Sequence, residues 1–291
     1  MTSVRTWIAG ARPRTLVAAV VPVAVGWASA SRDGDRSIEM AMLGLALVVS
    51  LALQVGVNFA NDYSDGVRGT DDQRVGPLRL VASGLAAPSA VKRAAFASFG
   101  VAAVAGLVIA ANTSWWLVAV GVASIAAAWF YTGGPHPYGY AGFGELFVFV
   151  FFGLVATVGT AFAATSVLDA WTLFPGAAVG ILATQLLVVN NLRDIPTDGA
   201  AGKMTLAVRM GDHATRSSYV ALNGAFCVLV VVIGLTERWA LLALAALVVA
   251  GKPSRDVLRG ATGPALIPVL GGTARFQMVA GALLAAGIAI S

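Results

Sequence analysis

Nine long apolar runs, separated by short polar segments, decide most of what this chain can become. They cover residues 14–31, 38–60, 89–111, 114–132, 143–165, 172–193, 214–235, 238–251 and 274–290. A helix needs about 20 mostly apolar residues to cross a hydrocarbon layer roughly 30 Å thick, and all but the eighth run come close to that length. A backbone in lipid must satisfy its own polar groups, which leaves helices or closed barrels. The alternating strands of about ten residues that build a barrel are absent. Charged residues make up 11% of the 291 and apolar ones 58%, against roughly 25% charged in an average soluble domain. That balance excludes a water-soluble globule and a disordered chain. The single cysteine, Cys227, excludes a disulfide scaffold and reads as a small packing residue. The expectation is an all-α membrane protein. One polytopic domain over residues 1–291 forms a nine-helix bundle, with Pro22 kinking the first helix.

The chain carries 19 basic residues against 14 acidic ones. With the N-terminus in the cytoplasm, only Arg32, Arg36 and Arg238 fall on the outer side, and the other sixteen of the 19 face inward. This positive-inside bias places the N-terminus in the cytoplasm and, with an odd number of spans, the C-terminus outside. The basic residues lie between apolar runs instead of building one face, so they anchor to the bilayer and argue against a nucleic-acid partner. Arg12, Arg14, the run from Leu16 to Trp27 and Ala28, Ser29 and Ala30 imitate a cleavable signal; the stretch also serves as a first span, and losing it would spoil the charge count. Richness in Arg, Ala, Gly and Val suggests a bacterial source and hence the plasma membrane.

Two inward-facing segments are long and polar. In the first, Gln54, Asn58, Asn61, Asp62 and Asp65 recur at three- and four-residue steps, which puts them on one helix face. In the second, Asn190, Asp194 and Asp198 step by four, with Asn191 beside them. A charge at the membrane centre costs about 2.5–3.5 kcal/mol, so both stripes belong at the cytoplasmic end, in a wet cavity. Acids at helix ends also serve as plain caps, but two matched stripes opening to one side make an oxygen-rich site. Such a site suits Mg²⁺, which is held by one or two carboxylates plus substrate phosphates. The two histidines, His136 and His213, stand alone, which argues against zinc. Arg68, Arg74, Arg79, Arg193 and Lys203 surround the acids and suit a diphosphate. Some of these pairs can equally be structural salt bridges.

These motifs resemble the UbiA superfamily of intramembrane aromatic prenyltransferases. The matching stretches are Ala11 to Leu16, Asn61 to Asp65 with Gly69 to Asp71, and Gly76–Pro77 through Ser83–Gly84. Tyr131 to Pro135 with Pro137 to Gly139, and Asn190 to Asp194 with Asp198 and Lys203, complete the resemblance over about residues 11–216. Where the general pattern has another aspartate four residues after Asp65, this chain has Gly69, with Asp71 and Asp72 following, as in the menaquinone branch.

The resemblance implies transfer of a polyprenyl group from polyprenyl diphosphate to 1,4-dihydroxy-2-naphthoate, with loss of CO₂ and diphosphate. It implies Asn61, Asp62 and Asp65 on one Mg²⁺, assisted by Asp71 or Asp72, and Asp194 and Asp198 on another. Arg68, Arg79, Arg193 and Lys203 would contact the diphosphate. The faces of Tyr131 and Tyr138 would shield an allylic cation, unless they are interfacial anchors. Asn58, Asn190 and Asn191 would face the aromatic substrate. Arg12 and Arg14 would bind its carboxylate or anionic lipid. Glu145 reads as a charge at a helix N-terminus or an acid–base group. A different aromatic acceptor, a CDP-alcohol phosphotransferase and a secondary transporter are the competing readings. The last is disfavoured because both stripes lie at one face and not at the midplane.

Overall fold

The computed structural model describes residues 3–32, 40–70 and 78–291. Among the described residues there is no β-strand. The helices are α1 Val4–Gly10, α2 Val17–Ser31, α3 Met40–Arg68, α4 Pro88–Asn112, α5 Leu117–Phe130, α6 Gly144–Val148, α7 Ala156–Thr165, α8 Leu173–Ala200, α9 Leu206–Gly234, α10 Leu247–Leu258 and α11 Leu266–Ala289. A π-helical stretch, Phe149–Val155, joins α6 to α7, so Gly144–Thr165 is one rod. A 3₁₀ stretch, Arg238–Ala246, leads into α10.

Among the described residues six helices are long and apolar enough to cross a membrane: Met40–Arg68, Pro88–Asn112, Gly144–Thr165, Ala170–Ala200, Leu206–Gly234 and Gly263–Ala289. Val4–Thr15 and Val17–Ser31 pass together as a seventh, bent by 51°. That bend falls ahead of α2, at Leu16, and Pro22 sits inside an uninterrupted helix. The expected run 114–132 is the shorter apolar helix Leu117–Phe130. Helix boundaries differ most where polar residues continue a helix past its apolar part. The second and sixth runs were expected to end at 60 and 193, yet α3 reaches Arg68 and α8 reaches Ala200. The last helix begins eight residues before its expected start, which moves Arg275 from the first turn of the expected run to the third turn of α11.

Two of the packed groups of buried side chains show how the helices are joined. In one, Val25, Leu182, Phe226, Ile233, Ala243 and Leu284 bring α2, α8, α9, the 3₁₀ stretch and α11 together, with the Phe226 and Phe276 rings edge-on at 5.8 Å. In the other, Phe59, Val91 and Phe99 join α3 to α4 and its neighbours. Lipid is as apolar as these side chains, so helix association depends on close packing of small residues. Gly153 shows it: a Cβ there would overlap the Gly180 backbone of α8.

Candidate functional site

Both polar helix ends stop in the same way. At α3, Gly69 takes a left-handed φ of 73°. The Gly69 N–H donates to the Gly66 carbonyl at 3.4 Å and the Thr70 N–H to the Asp65 carbonyl at 3.0 Å. At α8, Gly202 has φ 72°. Its N–H donates to the Gly199 carbonyl at 3.2 Å and the Lys203 N–H to the Asp198 carbonyl at 2.8 Å. This pair of bonds is the Schellman ending, which relies on glycine for its left-handed residue. Asp65 and Asp198 therefore hold equivalent positions in the last turns of two helices, and each chain folds back over its own acid.

The two ends meet. Lys203 Nζ lies 3.4 Å from Asp198 Oδ1 and 4.0 Å from Asp65 Oδ2. Arg79 Nη2 is 3.8 Å from the same Asp65 oxygen, and the Tyr140 hydroxyl donates to Asp65 Oδ1 at 2.8 Å. Lys203 also sits 5.4 Å from the Tyr140 ring centre. Asp65, Arg79, Asp198 and Lys203 are all buried. Burial first, and the Asp65 carboxylate second, hold the Tyr140 phenol above its ordinary value, because each disfavours a second negative charge.

The cavity has a volume of about 930 Å³ and reaches from this cluster into the apolar interior. Asn61, Asp65, Arg79, Asn190, Arg193 and Lys203 form its polar end, while Gly106, Gly121, Val155 and Ala163 line the apolar one. A row of rings runs along one wall. Tyr131 meets Tyr138 edge-on at 5.5 Å, Tyr138 stacks on Phe147 at 3.9 Å, and Phe147 on Phe151 at 5.9 Å. Among the described residues no three His, Cys, Asp or Glu side chains form a metal-ligand group.

The family model for the UbiA prenyltransferase family matches residues 19–254. The chain belongs to the UbiA prenyltransferase family. A relative named 1,4-dihydroxy-2-naphthoate octaprenyltransferase from Mycobacterium tuberculosis is 50% identical over 287 residues, 99% of this chain and 97% of that one. An Escherichia coli protein of the same name is 35% identical over 297 residues, covering 99% and 96%. Among solved structures, the apo structure of a UbiA homolog from Aeropyrum pernix matches with a TM-score of 0.71 at 14% identity, over 92% of this chain and 96% of that one. A UbiA homolog from Archaeoglobus fulgidus, bound to DMAPP and Mg²⁺, matches at 0.62 and 17% identity, over 96% and 99%. At those identities the likeness speaks for the UbiA fold.

Within this UbiA chain the residues singled out from sequence divide by what they touch. Asn58, Asn61, Asp65, Arg79, Tyr131, Tyr138, Asn190, Asn191, Arg193, Lys203 and Arg14 line the cavity. Asp62 is placed otherwise: its Oδ2 accepts the Leu80 N–H at 2.8 Å and its Oδ1 the Val81 N–H at 2.9 Å, which fastens the returning segment to α3. Arg68 also works structurally, its Nη1 and Nη2 donating to the Thr132 and Gly134 carbonyls. Asp194 accepts a forked contact from Arg193, Nε and Nη2 each at 2.7 Å, which leaves the buried Nη1 without a hydrogen-bond partner on the cavity wall. Glu145 lies in the first turn of α6, buried, with Asn191 Nδ2 donating to it at 2.9 Å. Asp71 and Asp72 lie outside the described residues.

Sequence reasoning missed Tyr140, Phe147 and Phe151. The two phenylalanines have four-residue spacing, which puts them on one helix face. In a segment apolar all round, that pattern does not say which face meets a cavity.

Proposed function

We propose that this chain transfers a polyprenyl group from a polyprenyl diphosphate to 1,4-dihydroxy-2-naphthoate. The reaction releases diphosphate and CO₂ and gives a demethylmenaquinone in its quinol form. The observation that carries the reading is the meeting of Asp65 and Asp198 at Lys203, where the polar end of an apolar cavity begins. The names of the mycobacterial and E. coli relatives, matched over nearly the whole chain, supply the acceptor.

Lys203, Arg79 and Arg193 line the polar end and bind the diphosphate, Arg193 through its unoccupied Nη1. Asp194 holds that guanidinium in place. The donor set fits Mg²⁺: the Asp65 and Asp198 carboxylates and the Asn61 amide oxygen are hard ligands, and substrate phosphate oxygens would supply much of the remaining shell. When bound, the ion would neutralise negative charge on the departing diphosphate. The A. fulgidus homolog with DMAPP and Mg²⁺ supports this expectation. Tyr138, Phe147 and Phe151 present ring faces where the allylic cation forms, which stabilises positive charge and excludes water. The isoprenoid tail occupies the apolar part of the cavity.

The sixteen-to-three charge split supports a site facing the cytoplasm of a bacterial plasma membrane, with nine spans in one domain. The 3₁₀ stretch Arg238–Ala246 and the first five residues of α10, up to Gly251, together extend about 25 Å, at roughly 2.0 and 1.5 Å rise per residue, a short span with Lys252 and Arg255 past its inner end. Purified protein in lipid, given Mg²⁺, a polyprenyl diphosphate and dihydroxynaphthoate, should release pyrophosphate and form a lipid-soluble quinol. EDTA should stop turnover and Mg²⁺ restore it; activity that persists in chelator removes the ion from the scheme. Release of CMP from a CDP-alcohol would instead make the chain a phosphotransferase.

A further inference from the structure

Arg12 is set apart from the other cations on the cavity wall. Its backbone is left-handed, with φ 53° and ψ 70°, a conformation that costs a non-glycine residue roughly 1–2 kcal/mol. Two buried amides of α3 hold the surrounding turn. Asn58 Nδ2 donates to the Ala11 carbonyl and to the Thr15 hydroxyl, both at 2.9 Å, and Gln54 Nε2 donates to the same hydroxyl at 3.1 Å. The Thr15 N–H and hydroxyl in turn donate to the Arg12 carbonyl, each at 2.9 Å. The side chain thus placed lines the cavity, and its Nε and Nη2 are buried without a hydrogen-bond partner. Arg79, Arg193 and Lys203, on the same wall, each lie against an aspartate.

Buried guanidinium N–H groups without an acceptor are expensive. A planar carboxylate offers two oxygens in the geometry of the guanidinium fork. The reaction proposed above brings two anions into one cavity, and the diphosphate belongs with Lys203 and Arg193. We propose that Arg12 takes the second anion, gripping the carboxylate of the aromatic acceptor through Nε and Nη2. It is thereby the residue that selects a carboxylated ring. Arg14, two residues on, is exposed and lacks this enclosure. The proposal rests on the prenyl-transfer reading and adds a subsite to it.

The test uses full-length protein in lipid nanodiscs without a prenyl donor. Binding of 1,4-dihydroxy-2-naphthoate is compared with that of 1,4-dihydroxynaphthalene, the same ring without its carboxylate. The wild-type protein should favour the carboxylated ring on the order of tenfold or more, the worth of a charge-assisted contact. Arg12→Gln should abolish that preference while leaving the bare diol's affinity and the KM for polyprenyl diphosphate unchanged. Arg12→Lys, which keeps the charge without the fork, should retain part of it. Arg12→Asn, whose side chain tolerates the left-handed backbone, gives the same reading if the glutamine variant fails to fold. Arg5→Gln, on the exposed side of α1, should behave as wild type. An unchanged preference in Arg12→Gln overturns the assignment. So does a raised KM for the diphosphate in place of the acceptor, or an equal loss in Arg5→Gln, which would mean surface charge alone. Turnover of dihydroxynaphthoate by the wild-type protein is a separate outcome, and its failure would sink the functional reading itself.

Discussion

Asp62 and Asp65 are three residues apart on one helix, yet their replacement by asparagine should have opposite consequences. Asp62 is fully buried, and each of its oxygens accepts a backbone N–H, from Leu80 at 2.8 Å and Val81 at 2.9 Å. Hydrogen bonds to a charged acceptor contribute about 1.5–3 kcal/mol each. Asparagine keeps one oxygen, now neutral, and turns an NH₂ group against the other N–H. One bond is lost, the second is weakened and two donors face each other in a buried place, so a loss on the order of 3 kcal/mol follows. The held segment carries Arg79, which reaches Asp65, so Asp62→Asn should also raise the KM for the prenyl diphosphate while leaving measurable turnover. Asp65→Asn keeps an acceptor for the Tyr140 hydroxyl and should fold nearly as well as wild type but lose turnover. Thermal unfolding in detergent, at a few degrees per kcal/mol for a chain of this size, is read beside turnover for both variants. An Asp62→Asn protein as stable as wild type, or an Asp65→Asn protein that is both unstable and active, would refute the division of labour.

Three further perturbations follow from the same contacts. Lys203→Met leaves Asp65 and Asp198 facing one another without their shared cation; turnover should fall at least tenfold, and full activity in this variant would remove Lys203 from the site. Gly153→Ala should destabilise the bundle by roughly 1–3 kcal/mol through overpacking against Gly180, with KM values unchanged in the protein that folds; wild-type stability would show that the crossing is looser than described. Tyr140, between α5 and α6, has its phenol raised by burial and Asp65, so it stays neutral and its stabilising contribution is fully present below about pH 10. That contribution is lost as the pH rises through the raised value, so the stability difference between wild type and Tyr140→Phe should be flat from pH 6 to 9, and a difference that titrates in that window would contradict the burial argument.

The fold class and both halves of the site were legible in the sequence because lipid imposes a simple rule on composition. Charge is kept to the ends of the runs, so acids and amides that recur there at helical spacing stand out. Boundaries were less legible for the same reason: a hydropathy reading stops at Ala60 and Arg193, while the α3 and α8 backbones continue to Arg68 and Ala200. Nor could spacing separate Asp62 from Asp65, since three residues of helix turn the side chain by about 60° from its neighbour on the same face. What divides them is the return of Leu80 and Val81 from a segment 18 and 19 residues on. Arg68 is similar, its carbonyl partners lying 64 and 66 residues away.

Gly69 shows how one departure from a motif can be read physically. The superfamily pattern has an acid there, but in this chain the position carries a left-handed φ of 73° and closes a Schellman ending. The same ending at Gly202 puts Lys203 directly after the glycine, where α3 has Thr70. The repeat therefore matches in backbone and differs in charge. Thr70 shares a 3.1 Å hydrogen bond with the Tyr140 hydroxyl and so helps to orient the group that donates to Asp65, while Lys203 reaches across to both acids. Two identical cationic ends would set two like charges against the same pair of acids. One neutral and one cationic end instead gathers both acids around a single shared cation, Lys203.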